Sequence, residues 1–252
     1  MEFKDKVCIV TGGSNGIGKR IIEDFIKAGA KICFIDIDEE GAKALIDKYK
    51  ENILYFKGDI SEESTLKEFY KIVKSKYEKI DYLINNACIS KGGILSNCSY
   101  EDFNYVLKIG VSAPYTLTKL FINDFNKGAS IVNISSTRAY MSQPNTESYT
   151  AAKGGITALT HALSVSLAGK VRVNSISPGW IETSEDATHS IEDKNQHLVK
   201  RVGKVSDISN MVMFLCSEKS SFITGQDISI DGGMTKLMIY NDDCGWNYNE
   251  YN

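Results

Sequence analysis

The chain lacks the features that would tie it to a membrane, a nucleic acid or a structural metal. No run of 18 or more apolar residues occurs among its 252 residues, so no membrane-spanning helix is expected. The formal net charge is only −3, with no block of like charge, and nothing calls for nucleic acid or an anionic membrane as partner. Proline is scarce, with three in all, and no proline- or glycine-rich linker interrupts the chain before residue 233, so one domain is expected. The cysteines are Cys8, Cys33, Cys88, Cys98, Cys216 and Cys244. They include no C-x2-C pair, so no zinc site and no other metal is expected. Cys8 and Cys33 sit in the apolar runs VCIV and ICFI, where a reduced thiol behaves as a small hydrophobe. The opening MEFKDKVCIVTGG has no charged, then apolar, then small pattern of a secretory signal. A reducing, cytoplasmic setting is the expectation.

Short apolar runs alternate with helix-like stretches. VCIVTGG leads into IGKRIIEDFIKAGA, KICFIDID into EEGAKALIDKYKEN, and ILYFKGDI into SEESTLKEFYKIVKSKYEKI. DYLINNA precedes a loop and then SYEDFNYVLKIGVSAPYTLTKLFINDF; SIVNISS, VRVNSISPGW and QDISIDGG follow. The runs are rich in β-branched residues without polar alternation, as strands buried on both faces should be. Helical spacing shows in Ile21, Ile22, Phe25 and Ile26, and again in Leu66, Phe69, Ile72 and Val73. This alternation predicts an α/β fold: a single, doubly wound, mainly parallel sheet with helices on both faces. The domain is expected over 1–233, with 234–252 as an aromatic-rich tail.

The first strand ends in a glycine-rich turn, residues 11–18, TGGSNGIG, with Gly12, Gly16 and Gly18 as its key positions. Such a turn lets backbone N–H groups and a helix N-terminus approach a pyrophosphate. Ser14, Asn15 and Ile17 belong to the same turn. Asp36 lies 18 positions beyond Gly18, at the end of the second strand, placed to bind a ribose 2′-hydroxyl and to repel a 2′-phosphate. A bland reading makes Asp36 the cap of the next helix. The following residue is Ile37, not arginine, so no cation awaits a 2′-phosphate, and NAD(H) is expected rather than NADP(H).

Further motifs then accumulate in order: Asp59-Ile60 after the third strand, 85-NNA-87 after the fourth, Ser136 after the fifth, Tyr149-x3-Lys153, 178-PGWIET-183 and 225-GQDISIDGG-233. With the T-G-x3-G-x-G spacing, the chain resembles the short-chain dehydrogenase/reductases over essentially its whole length. The resemblance implies a Rossmann fold binding NAD and a Ser136, Tyr149, Lys153 catalytic set. It further implies that Asp59, Ile60, Asn86 and Ala87 line the adenine and ribose side, and that Pro178, Gly179, Ile181 and Thr183 hold the nicotinamide carboxamide. The chemistry suits those residue types. An unperturbed tyrosine, with a pKa near 10, is only about 0.1% phenolate at pH 7. Tyr149 and Lys153 are i and i+4 and share a helix face, so the ammonium favours the phenolate. Ser136, 13 positions before Tyr149, is placed to donate to a developing oxyanion; Ser135 is expected to point elsewhere.

Two positions depart from the family pattern. Gly110 stands where the family has an asparagine that helps to hold a water linking the lysine to solvent, and a main-chain carbonyl at a glycine-loosened turn is expected to serve instead. Asn104, six residues away, is not at a helical repeat. Cys88 replaces the glycine after NNA and is expected to be an inert, packed thiol. The segment 184–201 occupies the place of the family's mobile substrate lid, and its His189 and His197 are expected to be solvated. Ser142, Gln143 and Asn145 are candidates for hydrogen-bonding a hydroxylated substrate. Small residues on the tyrosine helix (Ala151, Ala152, Gly154, Gly155, Ala158, Ala162) would permit close subunit approach, and the resemblance implies a homo-oligomer, a tetramer above others. In the tail, Met238, Tyr240, Trp246 and Tyr248 either cover the substrate entrance or a partner's surface, or belong to a partly ordered end.

The function so expected is an NAD(H)-dependent oxidoreductase interconverting a small-molecule secondary alcohol and its ketone. The region 135–167 looks most like sugar and secondary-alcohol dehydrogenases. An acyl-carrier-protein reductase is disfavoured, because those usually prefer NADPH and need a basic docking patch. A non-catalytic dinucleotide sensor or scaffold is the alternative, with Gly110 its only support. A methyltransferase would explain the glycine turn and Asp36 but not Tyr149-x3-Lys153.

Overall fold

In a computed structural model of the chain, residues 2–184, 186–240 and 243 are described. Nine strands are found among them: β1 (Val7–Thr11), β2 (Lys31–Asp36), β3 (Ile53–Lys57), β4 (Ile80–Asn85), β5 (Phe125–Ile134), β6 (Val171–Pro178), β7 (Ile181–Glu182), β8 (Gly203–Lys204) and β9 (Asp227–Ile230). Seven form one sheet in the order β3-β2-β1-β4-β5-β6-β9, while β7 pairs only with β8. Every pairing is parallel. The helices are α1 (Gly16–Lys27), α2 (Glu39–Tyr49), α3 (Glu63–Lys76), α4 (Tyr100–Leu107), α5 (Ala113–Phe121), α6 (Glu147–Ser166), α7 (Ile191–Asn195) and α8 (Val205–Cys216). The single-domain, doubly wound arrangement expected from the sequence is what forms.

The central strands β1 and β4 are buried at every position, so each must feed two cores. Period-two alternation does this. Cys8 and Val10 face Ile21, Ile22 and Phe25 of α1, Leu45 of α2 and Ile208, Val212 and Leu215 of α8. Ile9 faces the other way, toward Leu66, Phe69 and Val73 of α3, Leu117 and Phe121 of α5 and Leu163 of α6. Burying each such side chain contributes about 1.5–3 kcal/mol relative to exposure. Cys8, Cys33 and Cys216 are buried, and burial pushes the Cys33 thiol up to about 12, consistent with its use as a hydrophobe. Among the described residues no helix is long and apolar enough to cross a membrane.

β1 has β2 on one side and β4 on the other, so the strand order reverses there and a crevice opens beyond the carboxyl ends of the strands. Two segments differ from expectation. The stretch after β4 is not one helix: α4 and α5 are separated by a π-helical turn, Lys108–Ser112. The segment 184–201 is not all loop, because Ser190 and Asp193 form a capping box that starts α7.

Candidate active site

The glycine turn is shaped by what a side chain would hit. Gly12 and Gly16 have φ of +67° and +53°, in the left-handed region that favours glycine. A Cβ on Gly18 would lie 2.0 Å from the Gly12 carbonyl oxygen, so α1 can begin this close to β1 only with glycine there. The turn is tied to the end of β4. The Asn86 side-chain amide donates to the Thr11 and Gly12 carbonyls at 3.1 and 2.8 Å, and Thr11 Oγ1 accepts the backbone N–H groups of Asn86 and Ala87, both at 3.1 Å. Asn86, expected beside the adenine and ribose, therefore commits its amide to holding the turn.

The other end of the turn is braced against β2. The fully buried Ser14 donates its N–H to Asp36 Oδ2 at 2.9 Å and its hydroxyl to the Asp38 carbonyl at 2.9 Å. Asn15 Nδ2 donates to Asp38 Oδ2 at 2.5 Å. Both side chains support the loop. Asp38, not Asp36, caps α2, accepting from Glu40 and Gly41 N–H, so the bland reading of Asp36 fails. Gly12, Asp36, Ile37, Asp59, Ile60, Asn86 and Ala87 line one cleft of about 280 Å³. Ile17 packs against the core below it. The Asp59 carboxylate accepts the Ser61 N–H at 2.8 Å and the Tyr105 hydroxyl at 2.9 Å; burial, then Asp59, push the Tyr105 phenol up to about 12. Among the described residues no lysine or arginine lines this cleft.

The segment after β6 closes over the turn. The Thr183 methyl group lies 3.2 Å from where a Gly16 Cβ would be. Pro178 ends β6, and the Gly179 N–H donates to the Ile230 carbonyl at 3.1 Å. A Cβ on Gly179 would be 2.7 Å from the Asp231 Cβ, while Ile181 starts β7. Beside this segment is a second cleft of about 800 Å³, lined by both Ser136 and Tyr149. Ser136 Oγ accepts the Arg138 N–H at 3.1 Å. Lys153 is 4% exposed. Its Nζ donates to the Ile134 carbonyl at 2.7 Å and lies 5.3 Å from the Tyr149 ring centroid. That leaves two of its three N–H groups for other partners. Ser135 turns away as expected, donating to the Lys153 carbonyl at 3.0 Å.

Gly110 lies in the π turn. A Cβ there would be 2.8 Å from the Ala152 Cβ and 3.8 Å from Cys88 Sγ. Within the turn the Ala113 N–H goes to the Lys108 carbonyl, and the next residue, Pro114, has no N–H to give. The Gly110 carbonyl thus has no donor four residues on, and that of Ile109 has lost its own to Lys108. The Ile109 carbonyl is therefore the one in this turn whose fourth and fifth residues on, Ala113 and Pro114, give it no N–H. Gly110→Asn alone is accordingly expected to lower turnover about tenfold or more, because it displaces the residue preceding Lys153, and Ala152→Gly in the same chain should restore it. Steady-state kcat of the single and double variants checks this.

Several lining residues were not expected from the sequence: Arg138, Gln196, Met234, Leu237 and Ile239, with Trp180 of the 178–183 motif, border this second cleft beside the expected Ser142 and Gln143. Asn145 does not border it; its Oδ1 accepts the Gly93 N–H at 2.9 Å. Met234, Leu237 and Ile239, rather than the exposed Met238 and Tyr240, are the tail residues at the cleft among the described residues; Trp246 and Tyr248 lie outside the described residues. Of the two lid histidines, His197 is not solvated and His189 is half-buried. His197 is 1% exposed, and the His189 ring stands edge-on to Trp180 at 5.3 Å. Part of the small-residue stripe is spent inside the chain, Ala152 against Gly110 and Gly155 against Val111. Cys88 lines the nucleotide-side cleft.

A family model described as enoyl-(acyl carrier protein) reductase matches residues 12–235. The chain is a short-chain dehydrogenase/reductase. It is an oxidoreductase of that family, whose members bind a nicotinamide dinucleotide. This short-chain dehydrogenase/reductase is 38% identical to an uncharacterized oxidoreductase of Thermotoga maritima over 95% of its own length and 100% of the relative's. It is 31% identical to the 3-oxoacyl-(acyl-carrier-protein) reductase of the same organism over 93% and 99%. Among solved structures, an apo SCOR enzyme from Clostridium thermocellum matches with TM-score 0.91 and 48% identity, covering 98% of this chain and 99% of that one.

Proposed function

We propose that this short-chain dehydrogenase/reductase interconverts a secondary alcohol and a ketone with NAD(H), using Tyr149 as acid and base. The observation that carries the reading is the juxtaposition of Tyr149 and Ser136 on one cleft with the buried Lys153 ammonium beneath the tyrosine ring. The turn suits a dinucleotide: glycines at 12, 16 and 18 let β1, α1 and the end of β4 approach too closely for side chains, next to a cleft with two carboxylates. When bound, the nicotinamide supplies the acceptor that takes hydride from the alcohol carbon. In that direction the Tyr149 oxygen takes the hydroxyl proton as the carbonyl forms, and Ser136 donates a hydrogen bond to the oxygen whose charge changes. Lys153 favours the tyrosine anion by its charge, and its two remaining N–H groups would be available to hold the cofactor's ribose. The Ile109 carbonyl in the π turn would hold a water through which the proton leaves. A scaffold without activity would have no use for a buried ammonium whose one bond is to a main-chain carbonyl.

Asp36 supports NAD over NADP, since a 2′-phosphate would meet Asp36 and Asp59 with no cation to offset them. The expected outcome is a kcat/KM for NADH at least about tenfold above that for NADPH, and a fall in that ratio of about tenfold in Asp36→Asn. Taking the ratio cancels any loss of turn support common to both cofactors. Preference of the unaltered enzyme for NADPH would refute the assignment. The relatives named as 3-oxoacyl-(acyl-carrier-protein) reductases support a second reading, reduction of a 3-oxoacyl thioester; oxidation of NADH by acetoacetyl-coenzyme A, against NADH formation from sugars, polyols and simple secondary alcohols, separates the two. The exposed small residues Ala158 and Ala162 of α6 and the open space over Gly154 support self-association, with a tetramer the expected mass in light scattering.

A further inference from the structure

Among the described residues, one charged side chain lines the catalytic cleft, and it is Arg138. Its Nη2 donates to Gln143 Oε1, while its Nη1 is buried and has no hydrogen-bond partner. No aspartate or glutamate lines the cleft among the described residues. A guanidinium keeps its proton throughout the working pH range, so the cation cannot relieve its lost hydration by becoming neutral. A buried cationic donor left unpaired is unfavourable, and in a substrate cleft the group that satisfies it is the one that arrives from solution.

Its support is rigid on both sides. Residues Thr137–Ala139 form a single 3-10 turn started by the Ser136 hydroxyl, and the Ala139 and Tyr140 N–H groups return to the Ser136 and Thr137 carbonyls at 3.0 Å each. The Tyr140 hydroxyl is then tied to the Asp227 carboxylate. Because the Arg138 backbone N–H donates to Ser136 Oγ, the guanidinium belongs to the same two-residue span as the hydroxyl beside the reacting oxygen. Gln143 occupies one end of the fork and so leaves Nη1 as the free donor. Apolar Met141, Trp180, Met234 and Leu237 line the same cleft, which lowers the local dielectric and strengthens a charge-assisted hydrogen bond.

We propose that Arg138 binds an anionic oxygen group, a carboxylate or a phosphate monoester, carried by the alcohol or ketone that this enzyme transforms. The inference rests on the oxidoreductase reading above and narrows it from neutral polyols to hydroxy and keto acids or polyol phosphates. Arg138 is then a specificity-determining residue, and Gln143 positions it.

The test uses matched pairs with NAD: 2- and 3-hydroxycarboxylates against their methyl esters, and polyol phosphates against the free polyols. The enzyme should prefer the charged member of one series by at least about tenfold in kcat/KM, and the series identifies the anion. In Arg138→Gln the charged-over-neutral ratio should fall about 100-fold, with the change in the KM of the charged member, and Arg138→Lys should recover part of it. A second measurement needs no turnover: acetate or inorganic phosphate should raise the melting temperature of the NADH-bound enzyme, and the rise should vanish in Arg138→Gln. Neutral members oxidised as well as charged ones would overturn the inference and leave the oxidoreductase reading standing. An Arg138→Gln variant that loses both members equally, or that keeps the anion-induced rise, would also overturn it. Failure of the enzyme to bind NADH at all is the result that removes the oxidoreductase reading, and this inference with it.

Discussion

Tyr149→Phe should lower kcat by about 10²–10⁴-fold while NADH binding changes little, the range general acid–base groups contribute. That range corresponds to about 3–5 kcal/mol of transition-state stabilisation. The substitution removes one oxygen and keeps the ring, so the packing of α6 and the 5.3 Å approach of the Lys153 ammonium to the ring should persist. What disappears is the hydroxyl proposed to exchange a proton with the substrate oxygen. Lys153→Met is the contrast. It breaks the 2.7 Å bond to the Ile134 carbonyl and removes the charge, so turnover and NADH affinity should fall together. The pair of variants separates proton transfer from positioning. Fluorescence titration with NADH gives the binding term and single-turnover kinetics the chemical term; a Tyr149→Phe enzyme that turns over within a few-fold of the parent would end the acid–base assignment.

The legible parts of the molecule are those where one physical demand dominates. Strands buried on both faces need continuous apolar residues, and VCIVT and IDYLIN show this directly. The glycine turn is legible because three backbone positions each exclude a side chain. The helix α8 was not singled out, because VSDISNMVMFLC mixes β-branched and apolar residues without a strong helical contrast. The π turn was signalled only jointly, by Gly110 and by Pro114 four residues later, and neither residue alone predicts it. Side chains that face inward from sequence-distant loops were hidden altogether. His197 reads as a polar lid residue, yet it lies under Gly232, whose Cβ would be 3.3 Å from its own. Arg138 carries no sequence signal of its own; it shares a cleft with Met234 and Leu237, nearly a hundred residues away in the chain. Asp59, Ile60, Asn86 and Ala87 share one cleft with Gly12 and Asp36, while the side chains of Ser14, Asn15 and Asn86 make hydrogen bonds that brace the glycine turn.

Gly18→Ala is expected to be the most damaging single-methyl change in the chain. The new Cβ would sit 2.0 Å from the Gly12 carbonyl oxygen and 2.6 Å from Asn86 Nδ2. The obstacle is backbone, so no rotamer change relieves it. Moving the turn breaks the Asn86 bonds that join β1 to β4 and, through Ser14, the brace on Asp36. Overpacking of this kind costs about 1–3 kcal/mol or more, which for a chain of this size lowers Tm by several degrees at about 2–4 °C per kcal/mol. The functional loss should exceed the stability loss, because the displaced turn is the one proposed to hold the pyrophosphate: NADH affinity should fall about 100-fold. Gly154→Ala is the control, since nothing lies within 4 Å of its Cβ position and alanine in a helix is favoured over glycine by about 1 kcal/mol. Thermal melts with and without NADH distinguish the cases. Gly154→Ala should hold or raise Tm, whereas Gly18→Ala should lose both part of its Tm and the further rise that NADH confers, and a Gly18→Ala enzyme still stabilised by NADH like the parent would show that the turn is not where the pyrophosphate binds.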